Sequence, residues 1–115
     1  MTRQEIERRI GAIKRRLAAL GPMHPGSISE QYNVCGTPGC RCKDPVDPRR
    51  HGPYHQLSFT WRGKSSSRFI RPERLAEMRA RVANYREMRE LVGEWVDLSM
   101  EIERLRNAER REAKA

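Results

Sequence analysis

The sequence lacks long apolar runs, has few aromatic residues and contains only three cysteines. No stretch approaches the roughly 20 apolar residues that a membrane-spanning helix requires. The first ten residues, MTRQEIERRI, are charged where a signal peptide would be apolar. We therefore expect a cytoplasmic protein with no membrane partner.

Hydrophobic residues make up only 37% of the 115 residues, and aromatic residues 6%. A domain of this length and composition buries little apolar surface, so its net free energy of folding is small. We expect a bound metal, a second copy of the chain, or both to add stability. We expect no deep catalytic cleft, no small-molecule substrate and no enzymatic activity.

Lysine is also scarce, with four residues against 20 arginines, and the basic excess is unevenly distributed. Residues 1–22 hold six basic and two acidic side chains, residues 23–71 hold eight and three, and residues 72–115 hold ten of each. The net charge of +9 therefore lies in the first two segments. Arginine suits bidentate contact with phosphate or carboxylate, although a GC-rich coding sequence gives the same bias.

Two segments carry the apolar spacing of amphipathic helices. Residues 1–22 predict an N-terminal helix that begins with a capping box of Thr2 and Glu5 and ends at Gly21-Pro22. Residues 72–115 predict a long C-terminal helix, which either breaks near Asn84 or Gly93 or packs on other helices. We expect the helices to form a hairpin within the chain or a dimeric, coiled-coil-like bundle, and we favour the homodimer.

The segment 23–71 is rich in Gly, Pro and Ser and predicts a small antiparallel sheet. Alternation over residues 54–61, a turn at residues 62–64 and a return over residues 65–71 indicate a hairpin, to which residues 27–34 add a third strand. The predicted class is therefore α+β. We expect the three segments to form one domain, in which a Cys-rich loop binds zinc and stabilises the sheet between the two helices.

The three cysteines are the strongest chemical signal. Cys35, Cys40 and Cys42 lie within eight residues, separated by turn-forming glycines and a proline, and they cannot all pair as disulfides. Zinc favours four tetrahedral ligands, and three thiolates with one imidazole are a common structural set. His51 is the predicted fourth ligand, and His55 is the second candidate.

A site with four protein ligands is closed, so zinc would stabilise the fold without hydrolytic chemistry. A reduced cysteine cluster, an iron–sulfur cluster and a redox thiol remain alternatives.

The same region carries a recognisable motif. The run Cys35-Gly-x-Pro-x-Cys40-x-Cys42, followed by His51-Gly-Pro-Tyr, resembles a group of small uncharacterised bacterial and archaeal proteins with a CGxPxCxC motif followed by HGPY. The resemblance covers residues 23–96 and implies a domain of unknown function. It implies no catalytic residue, and it supports treating the three cysteines and His51 as one unit.

Two functions fit these observations. The first is a zinc-stabilised, dimeric DNA-binding accessory or regulatory protein, because phosphate contact needs clustered Arg and Lys. Its predicted nucleic-acid contacts are Arg41, Lys43, Arg49, Arg50, Arg62, Lys64, Arg68 and Arg71. The alternative is a protein-interaction adaptor, in which the apolar helix stripes recruit a partner and the basic surface only adds solubility.

Overall fold

The structure, a computed structural model that describes residues 1–114, consists of two helices and a three-stranded sheet. The order is helix α1 (Arg3–Ala19), strands β1 (Ser27–Asn33), β2 (His51–Trp61) and β3 (Lys64–Ile70), and helix α2 (Leu75–Lys114), with 3-10 turns at Arg41–Lys43 and Pro72–Arg74. The predicted α+β class and element order are confirmed. The chain forms two compact units: residues 24–82, and residues 1–23 with α2 from Ala83 onward.

Helix α1 begins at the predicted capping box. The Thr2 hydroxyl accepts a hydrogen bond from the Glu5 amide at 3.2 Å, and the Glu5 carboxylate accepts one from the Thr2 amide at 3.3 Å. These two bonds satisfy backbone N–H groups that have no partner within the helix. The helix ends at Ala19, earlier than the predicted residue 22, because Leu20 already has extended backbone angles.

The sheet has the order β1-β2-β3, and both strand pairs are antiparallel. Residues Arg62 and Gly63 form a two-residue turn in which both φ angles are positive, +51° and +80°. This is the backbone that matches the right-handed twist of a hairpin. The predicted third strand is present, but β2 begins at His51 rather than residue 54, and Lys64 belongs to β3 rather than to the turn.

One face of the sheet packs on the first turns of α2. Leu57 on β2 contacts Met78 and Val82 of the helix, and all three are buried. Ile28, Phe59 and Ile70, which share the face of Leu57, surround this core. The alternation in β2 therefore puts Leu57 and Phe59 on the face that packs on the helix.

Helix α2 is continuous over 40 residues, so neither Asn84 nor Gly93 breaks it. It contacts α1 in the antiparallel sense. Arg16 pairs with Glu87 at 2.8 Å, and the Lys14 ammonium lies 5.1 Å from the centre of the Trp95 ring. The helix hairpin within one chain, one of the two predicted arrangements, is present. None of the helices in residues 1–114 combines the length and apolar character of a membrane span.

Candidate metal centre

The pairing of β1 with β2 brings both ends of the cysteine loop together. Asn33 at the end of β1 lies opposite His51 at the start of β2. The loop from residue 34 to residue 50 is closed at this point. Cys35 is two residues beyond the pair, so the first cysteine and the histidine necessarily lie near each other.

Gly52 makes this close pairing possible. Its φ of +142° is one that side chains rarely adopt, and a Cβ atom would lie 2.8 Å from the Gln31 carbonyl oxygen and 3.0 Å from Cδ1 of Tyr32. The register between the strands shifts between Gln31 and Asn33 at the same level. Glycine therefore lets β2 approach β1 where His51 must reach the loop.

A tight turn carries the other two cysteines back to Cys35. Gly39 has a positive φ of +76°, and the Cys40 amide donates to the Thr37 carbonyl at 3.4 Å. A 3-10 turn follows directly, in which the Lys43 amide donates to the Cys40 carbonyl at 3.0 Å. The loop is closed again where the Arg49 amide donates to the Arg41 carbonyl at 2.9 Å.

Cys35, Cys40, Cys42 and His51 form one cluster, in which all ligand atoms lie within 4.8 Å of one another. The Sγ atoms of Cys35 and Cys42 are 3.5 Å apart, and Cys40 Sγ is 3.2 Å from His51 Nε2. Bond lengths of about 2.3 Å to sulfur and about 2.0 Å to nitrogen give tetrahedral edges of roughly 3.5–3.8 Å. The cluster thus has the size of a tetrahedral metal site, and its three cysteines are free thiols.

Hydrogen bonds favour the thiolate at two of the three cysteines. A backbone hydrogen bond at Thr37, with a further one from His51, lowers the pKa of Cys35 to about 6. A backbone hydrogen bond at Cys42 lowers the pKa of Cys40, and hydrogen bonds to Cys35 and Cys40 raise the pKa of His51. Burial raises the pKa of Cys42. The thiolate is the form that binds a metal ion.

The donor set fits a structural metal better than a catalytic one. Cys42 is 2% exposed, and the other three residues are half-buried. Three sulfur donors and one imidazole nitrogen fill the four positions of a tetrahedral ion, so no position is left for water or substrate. Such a site can stabilise the loop, and it gives the ion no open position for hydrolysis.

His55, the second candidate for the fourth ligand, is outside the cluster that the described residues form. It lies in the middle of β2, opposite Glu30 on β1 and Ile70 on β3. Three residues of strand separate it from His51. The cluster therefore contains His51, the first candidate for the fourth ligand, together with the three cysteines.

The predicted nucleic-acid contacts are all exposed, but they lie in three places. Arg41, Lys43, Arg49 and Arg50 belong to the cysteine loop, and Arg62 and Lys64 lie at the hairpin turn. Arg68 and Arg71 instead line a pocket of about 420 Å³.

Two further arginines, Arg74 and Arg81, line this same pocket, and the sequence analysis did not include them. They belong to a segment with equal numbers of acidic and basic residues, so the net charge of that segment gives no sign of a basic site. Their separation of seven residues, with Met78 between them, is the signal that could have found them, because it puts all three on one helix face.

A family model described as a domain of unknown function, DUF6788, matches residues 3–80, which is more than half of the chain. The match begins earlier and ends earlier than the resemblance over residues 23–96. It contains the whole cysteine loop and the sheet. No curated protein and no solved structure matches the chain. By this match, the chain belongs to the DUF6788 family of unknown function.

Proposed function

We propose that this protein is a small, zinc-stabilised nucleic-acid-binding protein without enzymatic activity. The observation that carries the proposal is the closed cluster of Cys35, Cys40, Cys42 and His51 within the unit that holds the basic sheet. Three thiolates and one imidazole favour zinc over harder ions such as magnesium or calcium. The filled coordination sphere supports a structural role for the ion.

The basic residues of the loop alternate with the ligands. Arg41 lies between two ligating cysteines and Lys43 follows Cys42, while Arg49 and Arg50 directly precede His51. Every basic side chain of the loop is thus within two residues of a ligand. A bound ion would fix the backbone from which these exposed side chains extend, and fixed cations bind phosphate at a smaller entropic cost.

The test is binding to a labelled random-sequence duplex of 20 base pairs at 50 mM and 200 mM salt, measured by fluorescence anisotropy. We expect the affinity to fall at least tenfold at the higher salt, because Arg and Lys release counterions from phosphate. An Arg41→Gln/Lys43→Gln variant should bind more weakly. The matched variant Arg106→Gln/Arg110→Gln, on the last turns of α2, loses the same charge and should bind like the wild type. Absence of binding at 50 mM salt would contradict the proposal.

The second candidate is the adaptor function, and an exposed stripe on α2 favours helix-mediated assembly. Val92, Val96 and Met100 recur every four residues and are 40%, 51% and 56% exposed. Residues at this spacing lie on one helix face. In the adaptor, this stripe would recruit a different protein. In the favoured nucleic-acid-binding function, we propose that it pairs with its copy on a second chain, which makes the protein a homodimer. A dimer would also double the number of phosphate contacts.

A further inference from the structure

Four arginines from separate elements converge on one pocket beside the sheet. Arg68 belongs to β3, Arg71 follows that strand, Arg74 ends the second 3-10 turn, and Arg81 lies two turns into α2. Both the strand and the start of the helix belong to the unit of residues 24–82. We propose that this pocket binds a phosphate of the nucleic-acid backbone, an inference that rests on the proposed function.

The position of Arg68 is the first argument. It lies opposite Leu57, so it shares the sheet face that packs on α2. Ile28, Leu57 and Ile70 on this face are apolar and belong to the core or surround it. An arginine in such a row adds nothing to the core. Arg68 lines the pocket instead, on the edge strand β3.

The charge of the pocket is the second argument. No Asp or Glu is among the residues that line it, in the part of the chain that the structure describes. Glu77 compensates one charge, because its carboxylate accepts from Arg81 at 2.7 Å and from Arg74 at 3.4 Å. Arg68 and Arg71 have no ion-pair partner within residues 1–114. Four guanidinium groups against one carboxylate leave an excess of about three positive charges, which an anion would relieve.

The apolar base of the pocket strengthens the attraction between these charges and an anion. Leu57 and Met78, which are 2% and 8% exposed, form part of its lining. Apolar walls reduce the local dielectric constant and make each charge act more strongly on a ligand. Arg74 and Arg81 both donate hydrogen bonds to Glu77, and the Arg74 guanidinium also contacts Met78 Sδ at 3.9 Å, so these two arginines are held in place before any ligand binds. Binding therefore orders few further side chains.

Phosphate is the anion that this arrangement suits. Guanidinium donors form paired hydrogen bonds with phosphate oxygens, and arginine keeps its charge at any physiological pH. The volume of about 420 Å³ is in the range of ligand sites, roughly 300–1,000 Å³, and leaves room for the sugar beside the phosphate. The excess of positive charge exceeds what one carboxylate would neutralise, whereas neighbouring phosphodiesters of one strand supply several charges.

The experiment compares two double variants that lose the same charge. Arg68→Gln/Arg71→Gln removes the pocket arginines that have no acidic partner, and Arg79→Gln/Arg86→Gln removes two exposed arginines of α2 that do not line the pocket. Circular dichroism and urea midpoints establish that both variants fold. We expect the pocket variant to bind the 20-base-pair duplex at least tenfold more weakly at 50 mM salt. Its slope of log affinity against log salt should fall by about two, while the control changes less than about twofold.

A second readout uses inorganic pyrophosphate and the NMR signal of the Met78 methyl group. We expect this signal to shift in the wild type and in the control, but not in Arg68→Gln/Arg71→Gln. Equal duplex binding by both double variants would overturn the pocket inference and leave nucleic-acid binding standing. A pyrophosphate shift without any duplex binding would overturn the nucleic-acid function and assign the pocket to another phosphate ligand. Absence of a Met78 shift would overturn the phosphate site itself.

Discussion

His51 and His55 belong to the same strand, yet only the first is close to the cysteines. His51 Nε2 is 3.2 Å from Cys40 Sγ, whereas His55 lies among strand neighbours. The difference follows from where β2 begins. A strand that starts at residue 51 has its first side chain at the mouth of the loop, and every later one belongs to the sheet.

We expect His51→Gln to lower the affinity for zinc at least tenfold, because the ion loses its nitrogen ligand and a fixed fourth position. His55→Gln is the matched control and should retain the wild-type affinity. Competition with a coloured chelator measures the affinity, and elemental analysis gives the zinc content. Loss of zinc from the His55 variant alone would show that His55, and not His51, is the fourth ligand.

The close approach of the two strands at Gly52 predicts that a side chain at this position destabilises the protein. Gly52→Ala places a Cβ atom against the Gln31 carbonyl and forces an alanine to a φ of +142°. We expect a loss of about 1–3 kcal/mol in the free energy of unfolding, measured by urea denaturation of the zinc-loaded protein.

Gly36→Ala in the same loop is the control, because a Cβ there meets no atom within 4 Å and the φ angle is not positive. Equal stability of the two variants would show that the strand pairing does not need the glycine.

At this scale, sequence reasoning predicts residues that are close along the chain. Three cysteines within eight residues, with turn formers between them, can converge with little help from the rest of the fold. The choice between His51 and His55 depended on strand register, which the alternating pattern placed three residues too late. The spacing of Arg74 and Arg81 indicates a shared face, but it could not predict that Arg68 and Arg71 join them, because only the packing of the sheet on α2 brings the two pairs together.

Helix α2 shows what the spacing of apolar residues can and cannot predict about an element. The four-and-three rhythm predicts helix over residues 72–115, but it leaves open whether the helix breaks near Asn84 or Gly93. It does not show what covers each apolar position. Leu91 is buried within the chain, while Val92, the next residue, is 40% exposed. The continuity of α2 through Asn84 and Gly93 also depends on packing. One unfavourable residue costs a long helix only about 1 kcal/mol, which contacts with the rest of the chain can offset.

The exposed stripe on α2 gives a prediction about assembly. We expect the wild type to have the mass of a dimer in light scattering. Val96→Glu should be monomeric over the same concentration range, because the carboxylate would be buried at the centre of the interface. Ala108→Glu places the same charge at an exposed position of α2 about 120° around the helix from Val96, and it should remain dimeric. A monomeric wild type at all concentrations would refute the dimer.

The whole molecule divides into two compact units with different sources of stability. The unit of residues 24–82 contains the cysteine cluster and a small core around Leu57. The helical unit buries Ile6, Ile13 and Leu91 and carries ion pairs such as Arg16 with Glu87. A metal ion would therefore contribute folding energy to one unit directly.

We expect removal of zinc by a strong chelator to increase hydrogen exchange mainly in residues 24–82. At a free zinc concentration of 100 times the dissociation constant, binding adds about 2.7 kcal/mol to the stability of the state that binds. The amides of α1 should retain most of their protection. Mass spectrometry of deuterium uptake, with and without chelator, measures both units in one sample. Unchanged exchange in β1 and β2 after complete zinc removal would contradict a structural role for the ion.

The middle of the loop between β1 and β2 forms a local turn that does not involve the predicted metal ligands, in which the Val46 amide donates to Asp44 Oδ1 at 2.9 Å. Three ligands belong to the first part of the loop and one to its far end, and the Pro-rich stretch between Lys43 and Arg49 contributes no ligand. Val46, near the centre of that stretch, is 90% exposed. Added length there costs only loop entropy, which grows slowly with the number of residues. We therefore expect that a peptide tag inserted within residues 45–48 leaves the predicted ligands undisturbed.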